Sequence, residues 1–212
     1  LTAPRWRWRL LVRQLALERK LQAGEFAVKP GLDPRELLFA IASGKVVQHR
    51  LTIIEGTRFR DLRAQIEGIG ALQQTLKGLD ELELLRRIGA SEAHPEGLFL
   101  PETYQFPRGF TDLELLKKAY WAQKAVLEDA WAKRRPDSPL ATPYQALILA
   151  SIIEKETGYA PERPEISGVF TRRMKLGMRL QTDPTVIYGL GDAFDGNLRR
   201  RDLVADTPYN TY

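Results

Sequence analysis

The segment TPYQALILASIIEKETG, from Thr142 to Gly158, constrains this chain more than any other. It reads as a helix with both ends marked. Thr142 suits an N-cap, Pro143 the first helical position, and Gln145 completes a Thr-x-x-Gln capping box. Gly158 is a natural stop. The interior is apolar until two carboxylates appear near the end. At about 100° per residue, Glu154 and Glu156 project roughly 160° apart and cannot share one environment. Glu156 falls between the directions of Leu149 and Ile152, inside the apolar sector. A carboxylic acid held against apolar side chains has its charged form disfavoured, which suits it to donate a proton near neutral pH. Glu154 points away from that sector, toward Ser151, and suits an ion pair with a Lys or Arg that holds the helix end.

Composition sets the frame for that helix. With 212 residues, 43% hydrophobic and 28% charged, the chain can bury a core as one large domain or two small ones. The formal charge of +5 admits polyanionic partners. No zinc-finger, RRM or KH signature supports nucleic acid, and a polyanionic cell-wall polymer fits the charge equally well. Cysteine is absent, which excludes disulfides and thiol nucleophiles. The two histidines, His49 and His94, lie far apart, so neither a Ser-His-Asp triad nor a His-rich metal site is expected. Gly68-Ile-Gly70 lacks the remaining residues of a phosphate loop or dinucleotide fingerprint. No apolar run is long enough to cross a bilayer.

Local signals order the rest. Trp6 to Gln22 has apolar residues at helical spacing, and Glu25 to Val28 reads as a short strand. Asp33-Pro34 starts a helix that runs through Ile41 to a stop at Gly44. Val46 to Ile54 alternates as a strand, making Glu25 to about Glu55 a β-α-β unit. Helices are expected over Arg60–Ile66 and Leu79–Ile88, then a loop from Ser91 to Pro107. Thr111-x-x-Glu114 is a second capping box, opening a helix to about Lys133 with a buried stripe of Leu116, Ala119, Tyr120, Leu127, Ala130 and Trp131. Arg135 to Pro139 is a linker. A helix from Pro164 to Leu176 closes at Gly177, and Asp183 caps a short one through Tyr188.

Three polar clusters lie outside these helices: Pro95 to Phe106, Met178 to Tyr188, and Thr207 to Tyr212. Amides, hydroxyls and tyrosines on loops suit sugar recognition, which needs many neutral hydrogen bonds and flat apolar faces. Turn chemistry accounts for Asp183-Pro184 and Thr207-Pro208 equally well.

Together, four motifs resemble the endolytic murein transglycosylases, the MltG or YceG-like family. They are Glu96-Gly-x-x-x-Pro-Glu-Thr-Tyr104, Ala150-Ser-Ile-Ile-Glu-Lys-Glu-Thr157, Gly177-Met-Arg-Leu-Gln-Thr-Asp-Pro-Thr-Val-Ile-Tyr-Gly189 and Tyr209-Asn-Thr-Tyr212. The resemblance runs from about Ala23 to the last residue, in the family's order. It implies an α+β fold: a LysM-like β-α-β unit within residues 1–56, then a mainly helical, distantly lysozyme-like catalytic domain over 57–212. By the same resemblance Glu156 is the catalytic acid/base, and no cofactor or metal is needed. Glu102, Tyr104, Ser151, Gln181, Thr182, Asp183, Thr185, Asn210 and Tyr212 are the implied substrate-binding residues.

The family cleaves the β-1,4 bond between N-acetylmuramic acid and N-acetylglucosamine within glycan strands and leaves a 1,6-anhydro end, terminating chain elongation. Glycosidases ordinarily use two carboxylates. When the attacking group is the substrate's own C6 hydroxyl, one Glu can protonate the leaving oxygen and then take that hydroxyl's proton. The implied partners are peptidoglycan glycan strands and peptidoglycan synthases, without nucleic acid. Family members begin with a membrane-spanning helix and continue past Asn-Thr-Tyr. The expectation is therefore a fragment of a protein anchored at the periplasmic face of the inner membrane, soluble as it stands. A hydrolytic muramidase and a non-catalytic peptidoglycan-binding scaffold remain as alternatives.

Overall fold

The computed structural model describes residues 4–212. Its helices are α1 (Arg5–Gln14), α2 (Pro34–Ala42), α3 (Phe59–Glu67), α4 (Glu81–Ile88), α5 (Asp112–Ala132), α6 (Pro143–Glu156), α7 (Arg163–Lys175), α8 (Asp183–Leu190) and α9 (Arg200–Leu203). One two-stranded sheet pairs β1 (Gln48–Thr52) with β2 (Thr103–Pro107), antiparallel, with Leu51 opposite Tyr104. The architecture is helix-rich α+β.

The capped helices begin where the sequence places them. Asp33 caps α2 and Thr111 caps α5, each with the reciprocal Glu three residues on. Thr142 caps α6 through the Gln145 N–H, but the Gln145 side chain accepts from Ala141 N–H rather than from the cap residue. Thr157, in extended conformation, ends that helix one residue before the expected glycine. Thr182 occupies the N-cap position of α8, so Asp183 is its first helical residue.

Other expectations fail for physical reasons. The first helix ends at Gln14, because Ala16 takes a left-handed backbone (φ 52°) and the chain turns so that Leu17 is buried. Glu25 to Val28 forms no strand. Its one backbone tie is from Val47 N–H to Glu25 O at 2.7 Å, and the Glu25 carboxylate is drawn to Arg108 and His49 instead. Those two hydrogen bonds lower its pKa, the one from Arg108 more than the one to His49. The expected β-α-β unit therefore lacks one strand. The partner of β1 comes from the stretch expected to be a loop, where Tyr104 and Phe106 face inward between exposed Thr103 and Gln105. In α5 only the first half of the stripe is buried: Leu127 and Trp131 are half-buried and Ala130 is exposed.

The main core draws on β1, β2 and α3 to α5, and runs from Leu51 to Tyr120. Residues on both sides of Gly56 share it. Asp112, 2% exposed, fastens it: its carboxylate accepts from Thr75 N–H and Oγ1, Leu76 N–H and Leu113 N–H. A second, smaller cluster of Leu149, Ile152 and Phe170 joins α6 to α7. Helix α6 bridges the two, since Leu147 packs on the main core. The linker is held to α7 by Asp137, which pairs with Lys175 and Arg135. Those bonds bring its pKa down to about 2.

Candidate active site

Glu156 lies on the same side of α6 as Leu149 and Ile152, at the i, i+3, i+7 spacing of one helical face. The packing stops before the helix does. Glu156 is the last residue of α6 and is exposed, so the apolar enclosure expected around it is absent. Periodicity fixes the direction of a side chain; its depth depends on where neighbouring elements end.

What holds Glu156 is polar. Thr182 Oγ1, on a side chain only 1% exposed, donates to Glu156 Oε2 at 2.6 Å. A buried hydroxyl donating to a carboxylate is a strong, charge-assisted contact. It leaves Oε1 of Glu156 free to face a ligand. Thr182 is itself fixed by the chain end. Its N–H donates to Thr211 Oγ1 at 3.2 Å, its carbonyl accepts from Thr185 Oγ1 at 2.8 Å, and the Thr185 and Thr211 hydroxyls meet at 2.9 Å. Thr211 is a member of this knot that sequence reasoning missed, although it stands inside the quoted Tyr-Asn-Thr-Tyr motif.

Gln181 is exposed and holds a left-handed backbone (φ 51°), pinned by its N–H to Thr211 O at 2.9 Å. A non-glycine residue in that region costs of order 1–3 kcal/mol and collects at functional sites. Asn210 is engaged by the chain: its Nδ2 donates to the carbonyls of Leu203 and Ala205, and its Oδ1 accepts from Tyr212 N–H at 2.9 Å. Its amide shapes the tail that carries Tyr212. The Tyr212 hydroxyl donates to Asp183, and that bond, before burial, pushes the phenol up to about 12. Tyr212 thus remains a neutral phenol whose proton is committed to Asp183.

The other expected residues divide. Ser151 is exposed, but its hydroxyl bonds back to Ile148 O within α6. Glu102 is exposed at the start of β2, and Tyr104 is 3% exposed in the main core, its hydroxyl donating to Leu100 O. Neither Glu102 nor Tyr104 bonds to the Glu156 cluster. Tyr104 is a core residue, so a surface contact with substrate is not open to it as placed. Glu154 takes the expected ion pair, with Arg163 at 2.8 Å.

One motif carboxylate to which the sequence reading gave no role is conspicuous. Glu96 is half-buried between α3 and α8, accepting from Phe59 N–H at 2.9 Å and from the Tyr188 hydroxyl at 3.3 Å. Burial raises its pKa, although both bonds and the Arg58 charge pull the other way. Among the described residues no group of three His, Cys, Asp or Glu could hold a metal ion, and no helix is long and apolar enough to cross a membrane.

Comparisons with known proteins agree with one another. The profile of the YceG-like family matches residues 1–212. An endolytic murein transglycosylase of Bacillus subtilis is 30% identical over 208 residues, covering 90% of this chain and 57% of the relative. One of Streptococcus pneumoniae is 29% identical over 121 residues, 55% of this chain and 22% of the relative. The chain thus spans little more than half the length of the Bacillus protein. A crystal structure of a YceG-like protein from Listeria monocytogenes superposes with a TM-score of 0.61 at 25% identity, covering 99% of this chain and 74% of that one.

Proposed function

This chain belongs to the YceG-like family, and we propose that it carries the active site of an endolytic peptidoglycan lytic transglycosylase, with Glu156 as acid and base. The observation that carries the reading is the bond from buried Thr182 to exposed Glu156. It orients one carboxylate at a surface a glycan strand can reach, and leaves its second oxygen free. Support also comes from the names of the relatives, both endolytic murein transglycosylases.

The chemistry needs one carboxylate. Glu156 gives its proton to the oxygen leaving C1 of N-acetylmuramic acid, and the C1–O bond breaks. The C6 hydroxyl of the same sugar forms a bond to C1, and its proton goes to the Glu156 carboxylate. Atoms and charge balance without water, and the product is a 1,6-anhydro end. Gln181, next to Thr182 in the sequence, offers an exposed neutral amide to the sugar, and the Tyr212 oxygen, its proton given to Asp183, can accept from a sugar hydroxyl. Removing a positioned general acid costs about 10²–10⁴ in rate. In digestion of purified sacculi, Glu156→Gln should lose that factor while keeping the wild-type melting temperature. Cleavage at the wild-type rate by that variant would remove Glu156 from the mechanism.

A hydrolytic reading has one observation in its favour. Asp183 adjoins Thr182 and could serve as the second carboxylate that hydrolysis calls for. Its oxygen is occupied by the Tyr212 hydroxyl, which favours the lyase. The proposed setting is the periplasmic face of the inner membrane, beside peptidoglycan synthases, and cell fractionation tests it.

A further inference from the structure

Helix α8 links the Glu156 cluster to a second group of side chains. Its first residue, Asp183, follows Thr182. Tyr188 lies five residues on, about 7.5 Å along the axis at 1.5 Å per residue. There Tyr188 meets Tyr209 edge to face, with ring centroids 5.1 Å apart. Gly189 permits the approach, since a Cβ at that position would lie 3.1 Å from Tyr209 Cβ. Both rings stay accessible, Tyr188 at 37% and Tyr209 at 49% exposure. Below them sits Glu96, within reach of the Tyr188 hydroxyl, and the Arg58 guanidinium lies 5.7 Å from the Tyr188 ring centroid. A separate cavity of about 230 Å³, lined by Tyr144 at the start of α6, lies between α5 and α6 and does not include these residues.

Exposed aromatic rings over a carboxylate acceptor match an N-acetylhexosamine, whose flat apolar face stacks while its hydroxyls donate. A stem peptide fits less well, because its carboxylates need a cation and Arg58 is already shared by Glu96 and the Tyr188 ring. We propose that Tyr188, Tyr209 and Glu96 form a distal sugar subsite that grips the glycan strand one stretch of α8 away from Glu156. The inference rests on the glycan-cleaving reading above and adds where the strand is held.

The test titrates the protein with peptide-free β-1,4 oligomers of N-acetylglucosamine, read by tyrosine fluorescence and by shifts in amide resonances. Wild type should bind saturably, and Tyr188→Ala should weaken binding about tenfold. Tyr188→Phe, which keeps the ring, should restore affinity to within about threefold of wild type, a rescue that a merely structural role for the hydroxyl tie to Glu96 would not give. Should Tyr188→Ala fold poorly, Glu96→Gln retains the acceptor for Phe59 N–H and should still weaken the oligomer severalfold. Equal affinity of wild type, Tyr188→Ala and Glu96→Gln overturns the subsite, and so does a loss confined to ligands that carry stem peptides. Sacculus digestion separates the two ideas. Oligomer binding that depends on Tyr188, in a protein that releases nothing from sacculi, leaves the subsite standing and removes the lyase. Undiminished cleavage and unchanged oligomer binding in Tyr188→Ala do the reverse.

Discussion

The two halves of the molecule are held together differently. From Leu51 to Tyr120, β1, β2, α3, α4 and α5 share one continuous apolar core, fastened by the buried Asp112 carboxylate. From α6 onward, burial among the described residues centres on Leu149, Ile152 and Phe170, and polar ties do much of the positioning. The candidate site is entirely in this second half. Its acid is fixed by Thr182, its backbone by Thr211, and its tyrosine by Asn210 and Asp183. Segments that must admit a large ligand come from the less stable parts of a fold. Here the well-packed half supplies rigidity, and α6 carries it to the acid.

That contrast can be broken by mutation. Phe106, 1% exposed in the main core, should cost about 4 kcal/mol of global stability as Phe106→Ala, while Ile152→Ala should cost about 2 kcal/mol in urea unfolding. Hydrogen exchange should show the second loss confined to α6, α7 and α8; equal, global losses would erase the distinction. Asp112→Ala leaves three N–H donors unmet, that of Leu76 buried and those of Thr75 and Leu113 half-buried, and should cost about 3 kcal/mol, against a near-neutral result if water replaces the carboxylate. Thr182→Val keeps the shape and removes the donor to Glu156. It should lower the cleavage rate about tenfold, or ~1.4 kcal/mol, with little change in melting temperature.

The smallest effect concerns pH. The Glu96 pKa is raised in the fold above the ordinary 4.5, so between those two values the native state binds more protons than the unfolded chain. Stability therefore falls as pH rises through that window and is regained as pH drops below it. Glu96→Gln should flatten this part of the stability profile, as followed by melting temperature. A profile identical to wild type would show that Glu96 is not desolvated.

What was legible in the sequence follows from the range of each interaction. Caps at Asp33, Thr111 and Thr142 are settled within four residues, so they read correctly. The pairing of β1 with β2 joins Thr52 to Thr103, and the prolines flanking Thr103–Phe106 disguise a strand whose alternation was nonetheless present. At Glu156 the helical face was readable, whereas exposure depended on how far α7 and α8 extend beside it. Its bond to Thr182 spans 26 residues and leaves no local trace. Glu96 and Thr211 were visible as members of motifs, but their roles emerge only once α3, α8 and the tail come together.

The central claim is that Glu156 serves an internal hydroxyl rather than water. Digestion of sacculi in heavy-oxygen water, with mass spectrometry of the released muropeptides, reads this directly. Anhydro ends free of the heavy label are predicted; reducing ends carrying it would contradict the account.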